Sequence, residues 1–447
     1  MQVNRWTRRA LSGTVGLLGL VIAVFLFVAT LANGGGPTAP AVSPGAKAKM
    51  ADFSTSPAVT SSDPAPSVRA ESTPAKSPGR LPALSIGGPG MNILVDATGH
   101  RAVLIGTCIG ALSHCYQPSG VWVPGAKPPT EDDYAFAHRA EIFRLMKKYH
   151  INTLRSHFGA EVAMNPNPWS TPPFEPQSDT NLKSGYAAYL KMVKTWCADA
   201  TAAGFYVILD FYNGEAWSAD QGAYNRRYVR LLKDLTADLN KNPAVMWDLG
   251  NEPQPNPQGW NGWVPKMKRL VDTIRTTCGY KGVIFIEGIG NSDSYYAPAV
   301  GQIYNYPPTA KQMVYEMHDY RPSNKPNANE MARDWCLESG VCKFWGECGP
   351  WNVAGGEAAV KSVIPLYETL RDCTLSLDKP YFCGFTPFCW NIDRGQAQDQ
   401  TNDPPGKPYD TAGLEVGEPL NLNGQACLKY LWGVDYSSVT RQAVRPR

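Results

Sequence analysis

The chain has 447 residues, 11% aromatics and 13 tryptophans, enough apolar matter for one large folded body. Of its 42 lysines and arginines, Arg5, Arg8 and Arg9 lie in the first 32 residues, which hold no acid; the remaining 39 face 39 acidic residues. A body this neutral excludes nucleic acid, which demands a basic patch, and suits an uncharged substrate.

Residues 11–32 carry no charge and follow the three arginines. This is the pattern of an export signal with its positive end kept inside. Thr30-Leu31-Ala32 offers a small-residue cleavage site. The 22 uncharged residues are also long enough to span a bilayer. Residues 1–32 are therefore expected to be a signal peptide or a membrane anchor, placing the protein outside the cell, secreted or anchored. Residues 33–89 contain ten prolines and one aromatic, Phe53. Such a stretch buries too little apolar surface to offset its ordering entropy, so it reads as a disordered, semi-extended linker.

The folded body is expected over residues 90–434, with a tail at 435–447. All 11 cysteines lie between Cys108 and Cys427. No Cys-x-x-Cys occurs, which argues against a zinc or thioredoxin reading. In an oxidising compartment some should pair, and short separations make Cys108–Cys115, Cys336–Cys342 and Cys373–Cys383 the candidates.

Residues 92–105 read as a hairpin turning near Thr98-Gly99. Strand and helix patterns then alternate. Strands are predicted at 103–106, 151–158, 205–212, 244–249, 282–287, 312–316, 342–347 and 382–390. Between them, Tyr186, Tyr189, Leu190, Val193, Trp196, Cys197 and Ala200 recur at helical spacing, as do Tyr228, Leu231, Leu232, Leu235 and Leu239. Trp263, Met267, Leu270, Val271 and Ile274 form a further such face. Repeated strand–helix units predict a parallel sheet covered by helices, and eight of them a closed (β/α)₈ TIM barrel of the α/β class. No Gly-x-Gly-x-x-Gly opens a helix, which counts against a nucleotide site, and no cofactor is expected.

The strand tips are polar: Arg155, Asp210 with Tyr212, Asn251 with Glu252, Glu287, His318 with Tyr320, Glu347, and Trp390. Strand C-termini are where such barrels keep their chemistry. Pro253 stops the fourth strand directly after Asn251-Glu252. Ninety-five residues later Trp345-Gly346-Glu347 repeats the theme of apolar run and carboxylate. Two carboxylates on two strand tips are what glycosidic bond cleavage needs. A lone acid such as Asp210 or Glu287 is as readily a structural ion-pair partner.

Six pieces stand in this order at barrel spacing: Asn152-Thr153-Leu154-Arg155, Ile208-Leu209-Asp210, Asn251-Glu252-Pro253, His318-Asp319-Tyr320, Gly346-Glu347 and Trp390-Asn391. Together they make residues 91–433 resemble the family 5 glycoside hydrolases, cellulase-like retaining enzymes of the large (β/α)₈ clan. The resemblance implies Glu252 as general acid and then base, and Glu347 as nucleophile. Arg155 and Tyr320 would hold Glu347 ionised and oriented. Asn251 would bond the sugar 2-hydroxyl, His318 would border the carboxylates, and Trp390 would be the floor under the sugar. One departure is visible. Family members usually carry a histidine two residues beyond the strand-3 aspartate, where this chain has Tyr212. His157, two residues from Arg155 and hence sharing its facing, is expected to replace that imidazole; its alternative is a bond to a loop carbonyl. Of the loop tryptophans, Trp217, Trp263 and Trp351 are expected to be sugar platforms.

The expected function is an exported, monomeric endo-β-1,4-glucanase acting on a polysaccharide partner, with β-mannan as the second substrate. A non-catalytic glycan-binding protein on a stalk is the rival of another class, disfavoured because both carboxylates are present. A metal-dependent hydrolase is disfavoured by six histidines with no ligand spacing beside a carboxylate on one strand.

Overall fold

Eight parallel strands close into a barrel: β4 (Leu104–Leu112), β5 (Thr153–Phe158), β6 (Tyr206–Phe211), β7 (Val245–Asp248), β8 (Ile284–Glu287), β9 (Met313–Arg321), β10 (Cys342–Pro350) and β11 (Gly384–Phe385), which returns to β4. The computed structural model describes residues 81–87, 93–112, 134–158, 179–211, 222–253, 259–290, 292, 297–306, 311–321, 341–350, 356–376, 382–388, 390, 420 and 422–440. The expected export segment, most of the linker, Tyr212, Trp217 and Trp351 lie outside those residues.

Strand alternation builds two layers. On β6, Val207, Leu209 and Phe211 point out toward the helices, while Tyr206, Ile208 and Asp210 point into the barrel. The lower interior is apolar, filled by Leu104, Ile208, Met246, Phe285, Val314 and Phe344. The outer layer packs on helices that include α1 (Asp179–Ala202), α2 (Gly222–Leu239), α3 (Trp260–Asp272) and α4 (Gly356–Leu375). The faces predicted from helical spacing are the buried ones: Tyr189, Val193 and Trp196 on α1, and Leu231, Leu232 and Leu235 on α2. The Trp196 indole also donates to Ser156 Oγ at 2.9 Å, so an outward serine of β5 is satisfied.

A small antiparallel sheet, β1 (Ser85–Gly87), β2 (Ile93–Val95) and β3 (Arg101–Ala102), contributes to the lower core. The β2–β3 hairpin is the expected one. Asp96 Oδ1 accepts from the Thr98 and His100 amides at its turn. β1 corrects the linker boundary at residue 89. Leu84 and Ile86 are buried, and Ser85–Gly87 pairs with Ile93–Val95. Two apolar residues at strand period are enough to fasten this stretch, although prolines surround it.

Close backbone approach shuts the barrel. A Cβ on Gly384 would overlap the Leu104 carbonyl, so only glycine lets β11 reach β4. The described cysteines are all thiols. This corrects the pairing expected for Cys373–Cys383, and it leaves Cys108 and Cys342 free as well. Cys342, Cys348 and Cys383 sit in or beside regular parallel strands, which seldom offer the geometry a disulfide needs. Cys348 joins the outer core, as strand alternation from Glu347 predicts.

Candidate active site

Above the apolar layer the barrel interior becomes charged. Arg155, on β5, is fully buried. Its Nη1 meets Glu347 Oε1 at 2.8 Å and Asp210 Oδ2 at 3.2 Å. Its Nη2 meets Asp248 Oδ2 at 2.8 Å and Glu287 Oε1 at 2.7 Å, and its Nε lies 2.6 Å from Glu316 Oε1. Nη2 also donates to Asn251 Oδ1 at 3.0 Å. One planar guanidinium thus ties five strands together, a task a lysine ammonium could not perform.

Glu347 reaches the interior through a bulge. Phe344 points in and Trp345 out, so a regular pleat would turn Glu347 outward. The register with β9 slips between Trp345 and Glu347, and this slip turns the carboxylate back inside. Gly346 sits in the slip. A Cβ there would overlap Glu316 Oε1 and Cδ, and Glu316 is itself held by Arg155. Gly346→Ala is therefore expected to strain the site by about 1–3 kcal/mol. It should also cost roughly 10²-fold in kcat, because displacement of a positioning group by an ångström has that scale. Melting temperature and kcat measured together check this; parent-like values of both would show that Glu316 can move aside.

Glu252 stands in a strained backbone position, with φ of 44°. Non-glycine residues seldom adopt this region, and such strain clusters at functional sites. Its amide donates to Glu287 Oε2 at 2.6 Å, and the neighbouring Asn251 amide donates to the Phe211 carbonyl at 2.9 Å. These bonds hold the turn that aims the side chain. His318 lies between the two expected catalytic acids: its Nδ1 is 3.0 Å from Glu252 Oε1 and 3.6 Å from Glu347 Oε2. Carboxylate oxygens of Glu252 and Glu347 and a ring nitrogen of His318 all lie within 4.8 Å of one another. Tyr320 donates to Glu347 Oε2. His157 Nδ1 pairs with Asp210, and its Nε2 faces Glu347 Oε1 at 3.6 Å.

Six carboxyls, Asp210, Asp248, Glu252, Glu287, Glu316 and Glu347, share this space with Arg155 and two histidines. Burial raises Asp210, Asp248 and Glu316, with Arg155 only partly offsetting it. Burial also raises Glu252, and the charges of Glu347 and Glu287 add to the effect against the His318 hydrogen bond. Burial alone would lower His318, yet Glu287 and Glu347 push it well above its ordinary value. His157 is held well below its ordinary value by burial and by the charges of Arg155 and His318. Glu287 is pulled down to about 2: burial opposes its charge, but His318, Arg155 and Ser292 prevail.

Stability should follow these shifts. Glu287 is depressed, so its contribution is present above the ordinary carboxyl range and is lost as pH falls from 4.5 toward about 2. His318 is raised, so its contribution is full below 6.5 and is lost as pH rises through its folded value. The raised Asp210, Asp248 and Glu316 also favour the folded state at low pH and less as pH rises. The melting temperature is expected to peak on the acid side of neutrality. A calorimetric pH series checks this; a maximum in alkaline buffer would contradict it.

The structure brings Arg155, His157, Asn251, Glu252, His318, Tyr320 and Glu347 together. Two tryptophans are corrected. Trp263 is 1% exposed and packs edge-on against Trp260 at 5.1 Å, because its place on the apolar face of α3 outweighs its nearness to the loops. It is a core residue and not a sugar platform. Trp390 is also 1% exposed and lies 6.4 Å from Tyr149 and 6.2 Å from Trp432, in the outer core. Regular pairing of the last strand covers only Gly384–Phe385, so alternation does not carry Trp390 inside. The ring beside the site is instead Phe388, 5.9 Å from His157 and 6.0 Å from Tyr320. Asp248, Glu316 and Cys108 also belong to the site without having been singled out by sequence. The signal for the first two was parity: Asp248 is two residues beyond inward Met246, and Glu316 two beyond inward Val314.

Residues 119–376 match the family model described as cellulase, glycosyl hydrolase family 5. No curated protein matches the chain. Among solved structures, the catalytic domain of an endoglucanase from Thermobifida fusca is 18% identical with a TM-score of 0.52, over 78% of this chain and 96% of that one. A mannanase catalytic domain from Streptomyces sp. SirexAA-E is 14% identical with a TM-score of 0.55, over 85% and 98%. A β-mannanase from Streptomyces thermolilacinus, solved with mannohexaose, is 13% identical with a TM-score of 0.54, over 81% and 98%. At these identities the solved structures establish the barrel fold. The family match spans more than half the sequence, and with a buried arginine, two facing glutamates and a histidine between them at the barrel mouth, this chain belongs to glycosyl hydrolase family 5 and is a glycoside hydrolase.

Proposed function

We propose that the protein is an exported endo-β-1,4-glucanase that cleaves cellulose-type glucan by double displacement with retention of configuration. The observation that carries the mechanism is the approach of the Glu252 and Glu347 carboxylates, whose oxygens lie within 4.8 Å. Retaining enzymes set their carboxyls about 5–5.5 Å apart, whereas inversion needs a gap for water between acid and base.

In the first step Glu347 attacks the anomeric carbon while Glu252 gives its proton to the departing glycosidic oxygen. Burial raises the Glu252 carboxyl, which favours the protonated form this step requires. Arg155 and Tyr320 fix one Glu347 oxygen each, so the nucleophile is aimed before substrate arrives. Glu252, now ionised and beside His318, then takes a proton from water. That water attacks the glycosyl-enzyme from the face the leaving group vacated, and Glu347 is released. Asn251, oriented by Arg155, is the expected partner of the sugar 2-hydroxyl.

The cellulase family model and the His318-x-Tyr320 and Trp345-Gly346-Glu347 motifs support glucan as the substrate. Reducing-sugar release from cellulose, mixed-linkage glucan, mannan, xylan and chitosan tests it. Glucan should be cut fastest; preference for mannan would replace the substrate and keep the mechanism. Proton NMR of the first products should show the β anomer. An α product would overturn retention.

A further inference from the structure

We propose that Cys108, His157 and Glu347 form a binding site for zinc or a similarly soft divalent cation, and that filling it silences the enzyme by capturing the nucleophile. The inhibitory half rests on the role proposed for Glu347; the binding half does not.

The three side chains come from β4, β5 and β10, and offer a sulfur, an imidazole nitrogen and a carboxylate oxygen within 4.8 Å of one another. Zinc takes these ligand types in tetrahedral sites at about 2.0–2.3 Å, which puts donor atoms roughly 3.3–3.7 Å apart. His157 Nε2 and Glu347 Oε1 already stand 3.6 Å apart. Three protein ligands leave a fourth position for water. All three residues are buried on strands, so little conformational freedom remains to be lost on binding.

Supporting groups are also in place. Asp210 pairs with Nδ1 of His157. An imidazole that donates from one nitrogen to a carboxylate and coordinates through the other is the usual arrangement around zinc. The Cys108 thiol rests on the Gly346 and Thr386 carbonyls at 3.2 and 3.4 Å, weak contacts that coordination would replace. Double displacement gives this sulfur no task. The surrounding excess of carboxyls favours an added cation, while Arg155 competes for Glu347 Oε1. Binding involves no redox change: the Zn–S bond forms, the S–H bond breaks, and the proton leaves to solvent. In the metal-bound state His157 carries its proton on Nδ1, against Asp210, and coordinates through the Nε2 lone pair. A hard cation such as magnesium prefers all-oxygen ligands and should bind poorly here.

The test uses the full chain with zinc chloride and cobalt chloride. Calorimetry should show zinc binding that Cys108→Ser and His157→Gln each weaken at least about tenfold, since each removes one ligand atom. Cobalt should give a near-ultraviolet thiolate charge-transfer band that is absent in Cys108→Ser. Zinc, and not magnesium, should inhibit hydrolysis by the parent, and Cys108→Ser should need at least about tenfold more zinc for the same inhibition. Parent-like zinc affinity in either variant, or a cobalt band that survives Cys108→Ser, would overturn the site. If no polysaccharide is hydrolysed, the proposed function fails while calorimetry and the cobalt band still report on binding.

Discussion

Glu347→Gln is expected to lower turnover on any β-glycan by roughly four to six orders of magnitude, the scale seen when a covalent nucleophile is removed. The amide keeps the shape and can still accept from Tyr320 Oη, but it cannot form the glycosyl ester. Folding should survive, because the isosteric change removes one of the five carboxylates around Arg155 and leaves four. Glu252→Gln should behave differently. Aryl glycosides with good leaving groups need little protonation, so their first step should stay fast, with a burst followed by slow hydrolysis of the intermediate. Polymer cleavage by the same variant should be slow from the start. Pre-steady-state kinetics on an activated aryl glycoside and on soluble glucan separates the two roles. Equal residual rates of the two variants on both substrates would contradict the assignment.

Much of this arrangement was legible in the sequence because strand tips announce themselves. An apolar run that ends in Asn251-Glu252-Pro253 needs no partner strand to be recognised. The helical faces of α1 and α2 were legible for a similar reason, since local period and burial agree there. What stayed hidden depends on contacts between strands. Asp248 and Glu316 have the parity of inward residues, but no local pattern shows that the Arg155 guanidinium gathers them. The bulge at Gly346 follows from the β9–β10 register, which no local pattern encodes. Trp390 and Trp263 show the opposite error. A tryptophan near a strand tip looks like a sugar platform, yet a large ring is also the best filler of the gap between barrel and helices, and here that use prevails. The linker boundary failed for the reverse reason. Proline and alanine around Leu84 and Ile86 masked two residues that the lower core of the barrel requires.

Arg155→Met should be the most destabilising single change near the site. The arginine is fully buried and meets Asp210, Asp248, Glu287, Glu316 and Glu347. Methionine approximates its stem but supplies none of the charge. Breaking a buried ion pair by removing one partner costs about 3–5 kcal/mol, because the other charge is left uncompensated. Asp210 and Glu316 lose the main charge that opposes their burial, and Glu287 loses one of the groups, after His318, that hold it down at about 2. Without the guanidinium, carboxyls must take up protons or repel one another, so the variant should be least unstable in acid and lose stability more steeply than the parent as pH rises. Arg155→Lys should rescue little: an ammonium is a point charge and cannot span carboxylates on five strands. Denaturant unfolding at several pH values measures both the loss and its slope. Stability like the parent's at neutral pH, or full rescue by lysine, would mean that the carboxyl cluster is held by His318 and its own shared protons, and that the arginine is dispensable to the fold.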